Sequence, residues 1–271
     1  MTYDGWLAAH PYLAQVADLH RIVDTAAAEA STSTAPIPDW NAYVEEYHAG
    51  VPLLLSSSAA IDLSGAQMDL ACLAASLTSK PLPGALAWEA RTLNADLGRD
   101  SETPRRAVVW LLEGDSCPCA HPGLLQYLGW TVLERFLRPL TAEFAEWRDE
   151  ERWLLNYCPL CGAPPAMAQL RGKDPGRLRM LFCGRCHSQW RYRRTGCPFC
   201  EKEDDHRLAA VAVEGEAGLR IDYCEDCRGY LKTYNGEGSE GVLMQDWTSL
   251  HLDVIAQDRG LKRMASSLYS L

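Results

Sequence analysis

The sequence has no long apolar run. None reaches the roughly 18 residues of a membrane-spanning helix, and Asp62 and Asp69 interrupt the longest candidate, Val51 to Leu77. No membrane span is expected. The opening Met1-Thr2-Tyr3-Asp4 lacks the basic flank and apolar stretch of a secretory signal. The expected location is the cytoplasm, where reducing conditions keep thiols available to metal. A basic surplus is missing too. Residues 1–150 hold 9 Lys+Arg against 20 Asp+Glu, a net −11, and residues 151–271 hold 17 against 16, a net +1. Neither half has the positive field of a nucleic-acid binder, so no nucleic acid is expected as partner. No motif unites a nucleophile, a base and an orienting group, so the chain does not read as an enzyme. What remains is 271 residues, 47% hydrophobic and 23% charged, enough for one large or two ordinary cores.

Cysteine, by contrast, is concentrated. Four Cys-x-x-Cys pairs follow one another: Cys158/Cys161, Cys183/Cys186, Cys197/Cys200 and Cys224/Cys227. They form an internal duplication. Cys158-Pro159-Leu160-Cys161 is echoed by Cys197-Pro198-Phe199-Cys200, and Leu178 to Cys183 by Leu219 to Cys224. Each copy reads as a knuckle, a polar excursion, a strand and a second knuckle. A Cys-x-x-Cys turn sets two sulfurs on one side of a tight loop, and two such loops complete a tetrahedral four-sulfur site. The short Cys186–Cys197 gap reads as a connection between copies, so the knuckles pair sequentially. Two metal ions per chain are expected, each in a four-cysteine site, and all-sulfur ligation suits zinc or iron. Disulfides are the bland alternative, and nothing here suggests an oxidising compartment. Dithiol redox chemistry would need a lone motif at a helix N-terminus after a strand, and there are four, each followed by polar or strand-like sequence.

The rest of the chain reads as helices. Leu13, Val16, Leu19, Ile22 and Val23 recur at helical spacing within 10–30. Asp39 caps a helix to about Ala49. Further helices are expected over 64–79 (Cys72 being a small core residue), after the Pro81-Leu82-Pro83-Gly84 break through about Leu97, and from Pro104. Gly123 to Leu137 is another, and Pro139 is expected to kink or restart the chain at the first position of a helix running to about Leu155. Cys117 and Cys119 read as loop thiols, because no further ligand pair is left to complete a site. His10, His20, His48 and His121 read as ordinary residues, and His187 and His206 lie off ligand spacing. Arg191, Arg193 and Arg194 interleave with Trp190 and Tyr192, which suggests either nucleic-acid contact or, as favoured here, a ribbon strand with its aromatics beneath the metal. A last helix runs from Asp246 to about Gln257.

The run Cys158-Pro159-Leu160-Cys161-Gly162, Cys183-Gly184-Arg185-Cys186 with Trp190, Cys197 to Cys200, and Cys224-Glu225-Asp226-Cys227 with Tyr230-Leu231-Lys232 resembles the formate dehydrogenase accessory protein family, FdhE. Asp246-Trp247-Thr248-Ser249-Leu250-His251-Leu252-Asp253, with Gly260 and Arg263, is similar to that family's C-terminal helix. The resemblance covers 158 to about 263. It implies rubredoxin-like metal modules and a cytoplasmic, non-enzymatic maturation factor that contacts the molybdenum-containing catalytic subunit of formate dehydrogenase. The expected fold is therefore α+β and multidomain. A helical domain (1–155) precedes two tandem rubredoxin-like, or zinc-ribbon-like, four-cysteine modules (156–195 and 196–235), with a linker and C-terminal helix at 236–271. The other readings are a nucleic-acid-binding zinc ribbon and a dithiol or sulfur-transfer redox protein. Oligomeric state is not readable.

Overall fold

The structure, a computed structural model, describes residues 2–114, 116–172, 176–203, 207–216, 218–236, 241 and 243–269. His206 and most of the expected Gly/Glu/Ser linker lie outside them. The described helices are α1 (Tyr3–Ala9), α2 (Ala14–Ala30), α3 (Trp40–His48), α4 (Ser64–Leu77), α5 (Gly84–Leu97), α6 (Thr103–Glu113), α7 (Pro122–Trp147) and α8 (Leu250–Asp258). The strands are β1 (Met167–Arg171), β2 (Leu178–Phe182), β3 (Gln189–Tyr192), β4 (Leu208–Ala212), β5 (Leu219–Cys224), β6 (Gly229–Asn235) and the two-residue β7 (Lys262–Arg263). The fold is the mixed α+β arrangement expected, helical first and sheet-rich with the cysteines after.

The chain forms two compact units. One comprises 12–44, 54–148 and 268–271, the other 1–11, 45–53 and 149–267. Residues expected in a single helical region over 1–155 thus enter both.

In the helical unit α4 is central, packing against α2, α5, α6 and α7. Its apolar positions Leu70, Leu73, Ala74 and Leu77 are buried. Cys72, expected in the core, is exposed, because it falls on the outer side of that helix. Glycine sets one approach: a Cβ on Gly129 of α7 would collide with the Leu111 side chain of α6. Pro139 does not restart the chain, as the sequence suggested. It lies inside one 26-residue helix, α7, and 148–155 is not helical. An interior proline removes a hydrogen bond and costs about 3 kcal/mol. Burial of Phe136, Leu137, Leu140 and Phe144 around it outweighs that cost. The neighbouring Phe136 carbonyl also accepts a bond from the Ala35 amide at 2.9 Å.

In the cysteine-bearing unit the strands form one sheet in the order β3-β2-β1-β6-β5-β4, with β7 beside β6. β1–β2–β3 is an antiparallel trio, and β4–β5–β6 is its duplicate. The trios join through a parallel pair, Met167 opposite Lys232 to Leu170 opposite Asn235. The copies are therefore laid side by side in one orientation, and the sheet is continuous across them. β1 was hidden in the stretch read as a polar excursion. Its residues Met167 to Leu170 are all buried, so they show no alternation of two faces.

Three outlying segments fold onto this unit. Thr2 caps α1, its hydroxyl accepting from the Gly5 amide. Trp6, 2% exposed, donates its indole N–H to the Thr248 carbonyl. The 45–53 segment is tied by the Leu53 amide donating to the Pro159 carbonyl at 2.9 Å, and by Tyr157 donating its hydroxyl to the Gly50 carbonyl at 2.8 Å. The short turn Asp246–Ser249 and α8 make the third.

Candidate metal centres

All four knuckles have one local geometry. The amide following the second cysteine donates to the carbonyl of the first: Gly162 to Cys158, His187 to Cys183, Glu201 to Cys197 and Arg228 to Cys224, at 2.9 to 3.2 Å. That closure needs a left-handed residue, and φ is 75° at Gly162, 59° at His187, 59° at Glu201 and 63° at Arg228. A residue with a Cβ pays about 1–2 kcal/mol for this conformation. Three knuckles bear that cost, which makes sense where something else closes the loop. Amides also point at sulfur: Arg185 N–H to Cys183, Phe199 N–H to Cys197 and Gly229 N–H to Cys227, each at 3.4 Å. Such donors favour thiolate.

Tertiary structure then joins the knuckles in sequence. Cys158, Cys161, Cys183 and Cys186 form one cluster, and Cys197, Cys200, Cys224 and Cys227 a second. In each, the first knuckle precedes the strand trio's hairpin and the second ends the middle strand. Sulfurs are 3.4 Å (Cys158–Cys186) and 3.5 Å (Cys161–Cys183) apart in the first cluster. They are 3.7 Å (Cys197–Cys227) and 3.8 Å (Cys200–Cys224) apart in the second. A disulfide would need about 2.05 Å. Four sulfurs about 2.3 Å from one tetrahedral ion lie roughly 3.8 Å apart. Both clusters could hold a metal ion, and the donor set fits a soft, closed, four-coordinate one.

Without a cation, the thiols of a cluster do not ionise together. Hydrogen bonds from Cys158, Cys183 and Cys186 push Cys161 well above the usual thiol range, and burial does the same to Cys186. Burial also opposes ionisation of Cys183, yet hydrogen bonds from its three neighbours hold it well below that range. In the second cluster burial raises Cys197 and Cys227. Cys200 is lowered, because backbone and thiol hydrogen bonds outweigh its slight burial. Four thiolates in one cluster would need a cation among them. The surroundings of the two differ. All four sulfurs of the first are buried, whereas Cys200 and Cys227 are half-buried, and an open cleft of about 510 Å³ reaches Cys197 and Cys224.

The family model for the FdhE central domain matches residues 157–194, the first cluster and its trio. Over 176 residues the chain is 33% identical to a protein FdhE homolog of Stutzerimonas stutzeri, covering 62% of this chain and 55% of that one. Over 130 residues it is 31% identical to one of Aquifex aeolicus, covering 46% of each. The chain is similar to FdhE proteins, and its residues 157–194 match that family's central domain. Its fold is that of the crystal structure of the FdhE protein from Pseudomonas aeruginosa, with a TM-score of 0.62 at 24% identity over 95% of this chain and 88% of that one. The chain spans about half the length of the curated relatives it matches.

The motif residues that follow the last knuckle meet in one buried network. Lys232, 1% exposed, pairs with Asp246 at 2.6 Å and Asp253 at 2.9 Å. Arg263 bridges the same carboxylates at 2.7 and 2.6 Å. Tyr230 donates its hydroxyl to Asp253 at 2.7 Å. Two cations balance two anions, so the turn and α8 are clamped to β6. Burial opposes ionisation of Asp246, but Lys232 and Arg263 outweigh it and hold the carboxyl at about 2. Burial, then Asp253, pushes the Tyr230 phenol up. The sequence displayed each of these residues, but not their convergence.

The remaining candidates sort plainly. Trp190 and Tyr192 face inward, and Arg191 and Arg193 pair with Glu151 and Glu203. His187 serves as a left-handed knuckle residue and stacks on Phe182. Cys119 is buried, and burial followed by Asp96 pushes its thiol up to about 12, opposite to what a reactive thiol needs. Sequence reasoning passed over His10, Glu216 and His251, whose ligand atoms gather in one place.

Proposed function

We propose that this chain is a cytoplasmic accessory factor for the maturation of formate dehydrogenase. It engages the molybdenum-containing catalytic subunit through the metal-stapled modules and performs no catalysis itself. The observation that carries this reading is the pair of four-cysteine clusters set on one sheet in a chain similar to FdhE proteins. Cys158, Cys161, Cys183 and Cys186 would hold one iron or zinc ion, and Cys197, Cys200, Cys224 and Cys227 a second. Bound metal would supply cross-linking and, if iron, a one-electron couple. With four thiolates per ion no position stays open for a substrate, which favours a binding role over hydrolysis.

The chain's own residues supply the surface. β6 carries Lys232 into the clamp on α8, which ties the C-terminal helix to the sheet that bears the second cluster. The pairing of Arg191 and Arg193 with carboxylates speaks against nucleic acid as the ligand. A factor that is released afterwards must bind the immature partner more tightly than the finished one. Pull-down with apo and cofactor-loaded catalytic subunit tests this. Preferential capture of the apo form is expected, and its loss in Cys197→Ser and Cys224→Ser. Equal capture of both forms removes the release argument, and unimpaired capture by the variants moves the binding surface to the helical unit.

A further inference from the structure

His10, Glu216 and His251 come from the end of α1, the β4–β5 connection and α8, yet their ligand atoms lie within 4.8 Å of one another. Glu216 Oε1 is 2.8 Å from His10 Nε2 and 2.7 Å from His251 Nε2. The side chains are largely enclosed, at 8%, 6% and 15% exposure for His10, Glu216 and His251.

Protons decide what this cluster can be. His10 Nδ1 is 2.9 Å from the Trp6 carbonyl, which can only accept, so Nδ1 carries a proton. In the neutral imidazole Nε2 then presents a lone pair, and it points at a carboxylate oxygen that presents another. The His251 ring shares that same oxygen. Glu216 Oε2 is buried with no hydrogen-bond partner among the described residues. A buried carboxylate with one oxygen held between two imidazole nitrogens, and the other without a hydrogen bond from the described residues, calls for a positive charge, which a proton or a metal ion between them supplies. The His10–Trp6 bond is also the outer contact by which ligating imidazoles are commonly oriented.

We infer that His10, Glu216 and His251 form a third metal site, for a divalent first-row transition ion of the zinc or ferrous type. Two imidazoles and a carboxylate suit such ions, and ligands about 2.1 Å from one ion sit roughly 3.4 Å apart. The carboxylate oxygen, 2.8 and 2.7 Å from the two imidazole nitrogens, need move from each by only roughly 0.6–0.7 Å to reach that spacing. The site differs in kind from the cysteine clusters. Three protein ligands leave a coordination position for water or an exchangeable group, whereas four thiolates leave none. It would also pin α1 to the second trio and to α8, with Trp6 stacked on the His10 ring at 3.8 Å.

The test titrates full-length protein, cysteine clusters already loaded, with cobalt(II) and with zinc, followed by dialysis and metal analysis. One further equivalent per chain is expected in the wild type, with cobalt d–d bands and no added thiolate charge transfer. Glu216→Gln and His251→Asn should each lose that equivalent while keeping the metal content of the clusters and the helical circular dichroism. Should Glu216→Gln fail to fold, Glu216→Asp retains the carboxylate and should bind cobalt at least tenfold more weakly. No further equivalent in the wild type, or one retained by both variants, overturns the inference and leaves a histidine–carboxylate ion network only.

Discussion

The two cysteine clusters are chemical duplicates in unequal surroundings. The first sits between strands whose residues are nearly all buried, β1 among them, and its four sulfurs are enclosed. The second lies at β4, the half-exposed edge of the sheet, with Cys200 and Cys227 half-buried and a cleft alongside. Position in the sheet explains this. Head-to-tail stacking gives β1 a neighbour on each side, whereas its counterpart β4 has one. Duplicated ligands therefore do not make duplicated sites. The inner cluster is enclosed, and the outer is open to solvent on one side.

The largest effect should come from competing for the metal. A chelator should empty the outer cluster first, because local opening sets access. Alkylation under native conditions, read by mass spectrometry, should then label Cys200 and Cys227 before Cys158, Cys161, Cys183 and Cys186. Simultaneous labelling of all eight would show that the shared sheet couples the sites into one cooperative unit.

Next in size is the clamp on the second copy. Lys232→Met leaves Asp246 and Asp253 buried with only Arg263 between them, and breaking a buried ion network in this way costs about 3–5 kcal/mol. Urea denaturation should show that loss, with metal leaving the outer cluster ahead of the inner. Equal loss from both would mean that the parallel β1–β6 pair transmits the damage.

The smallest effect expected is the pH dependence of the same clamp. The folded-state pKa of Asp246, about 2, lies below its ordinary 3.8. Its contribution is therefore complete above about pH 4 and is lost as pH falls toward 2, amounting to about 2 kcal/mol. The stability difference between the wild type and Asp246→Asn should shrink over that window. A difference that stays constant would assign the clamp to shape and not to charge.

Much of this architecture was legible because it is local. A Cys-x-x-Cys turn fixes its own two sulfurs within four residues, so the paired thiols and the duplication stand in the sequence. One helix start was readable for the same reason: the Asp39 carboxylate accepts from the Asn41 amide. Pro139 misled, since a local rule was outweighed by burial along α7. Cys72 misled because a face cannot be assigned without its neighbours.

By itself, the sequence determined the eight clustered cysteines, their grouping by short spacing and the helical character of what precedes them. Tertiary structure alone decided that the copies share one sheet, that one cluster is enclosed and the other half-open, and that Lys232, Asp246, Asp253 and Arg263 converge. It also brought His10 to Glu216 across 206 positions of chain. The physical reason is separation: knuckles and caps are closed by bonds between near neighbours, while burial, charge pairing and edge position depend on which distant segments the fold packs together.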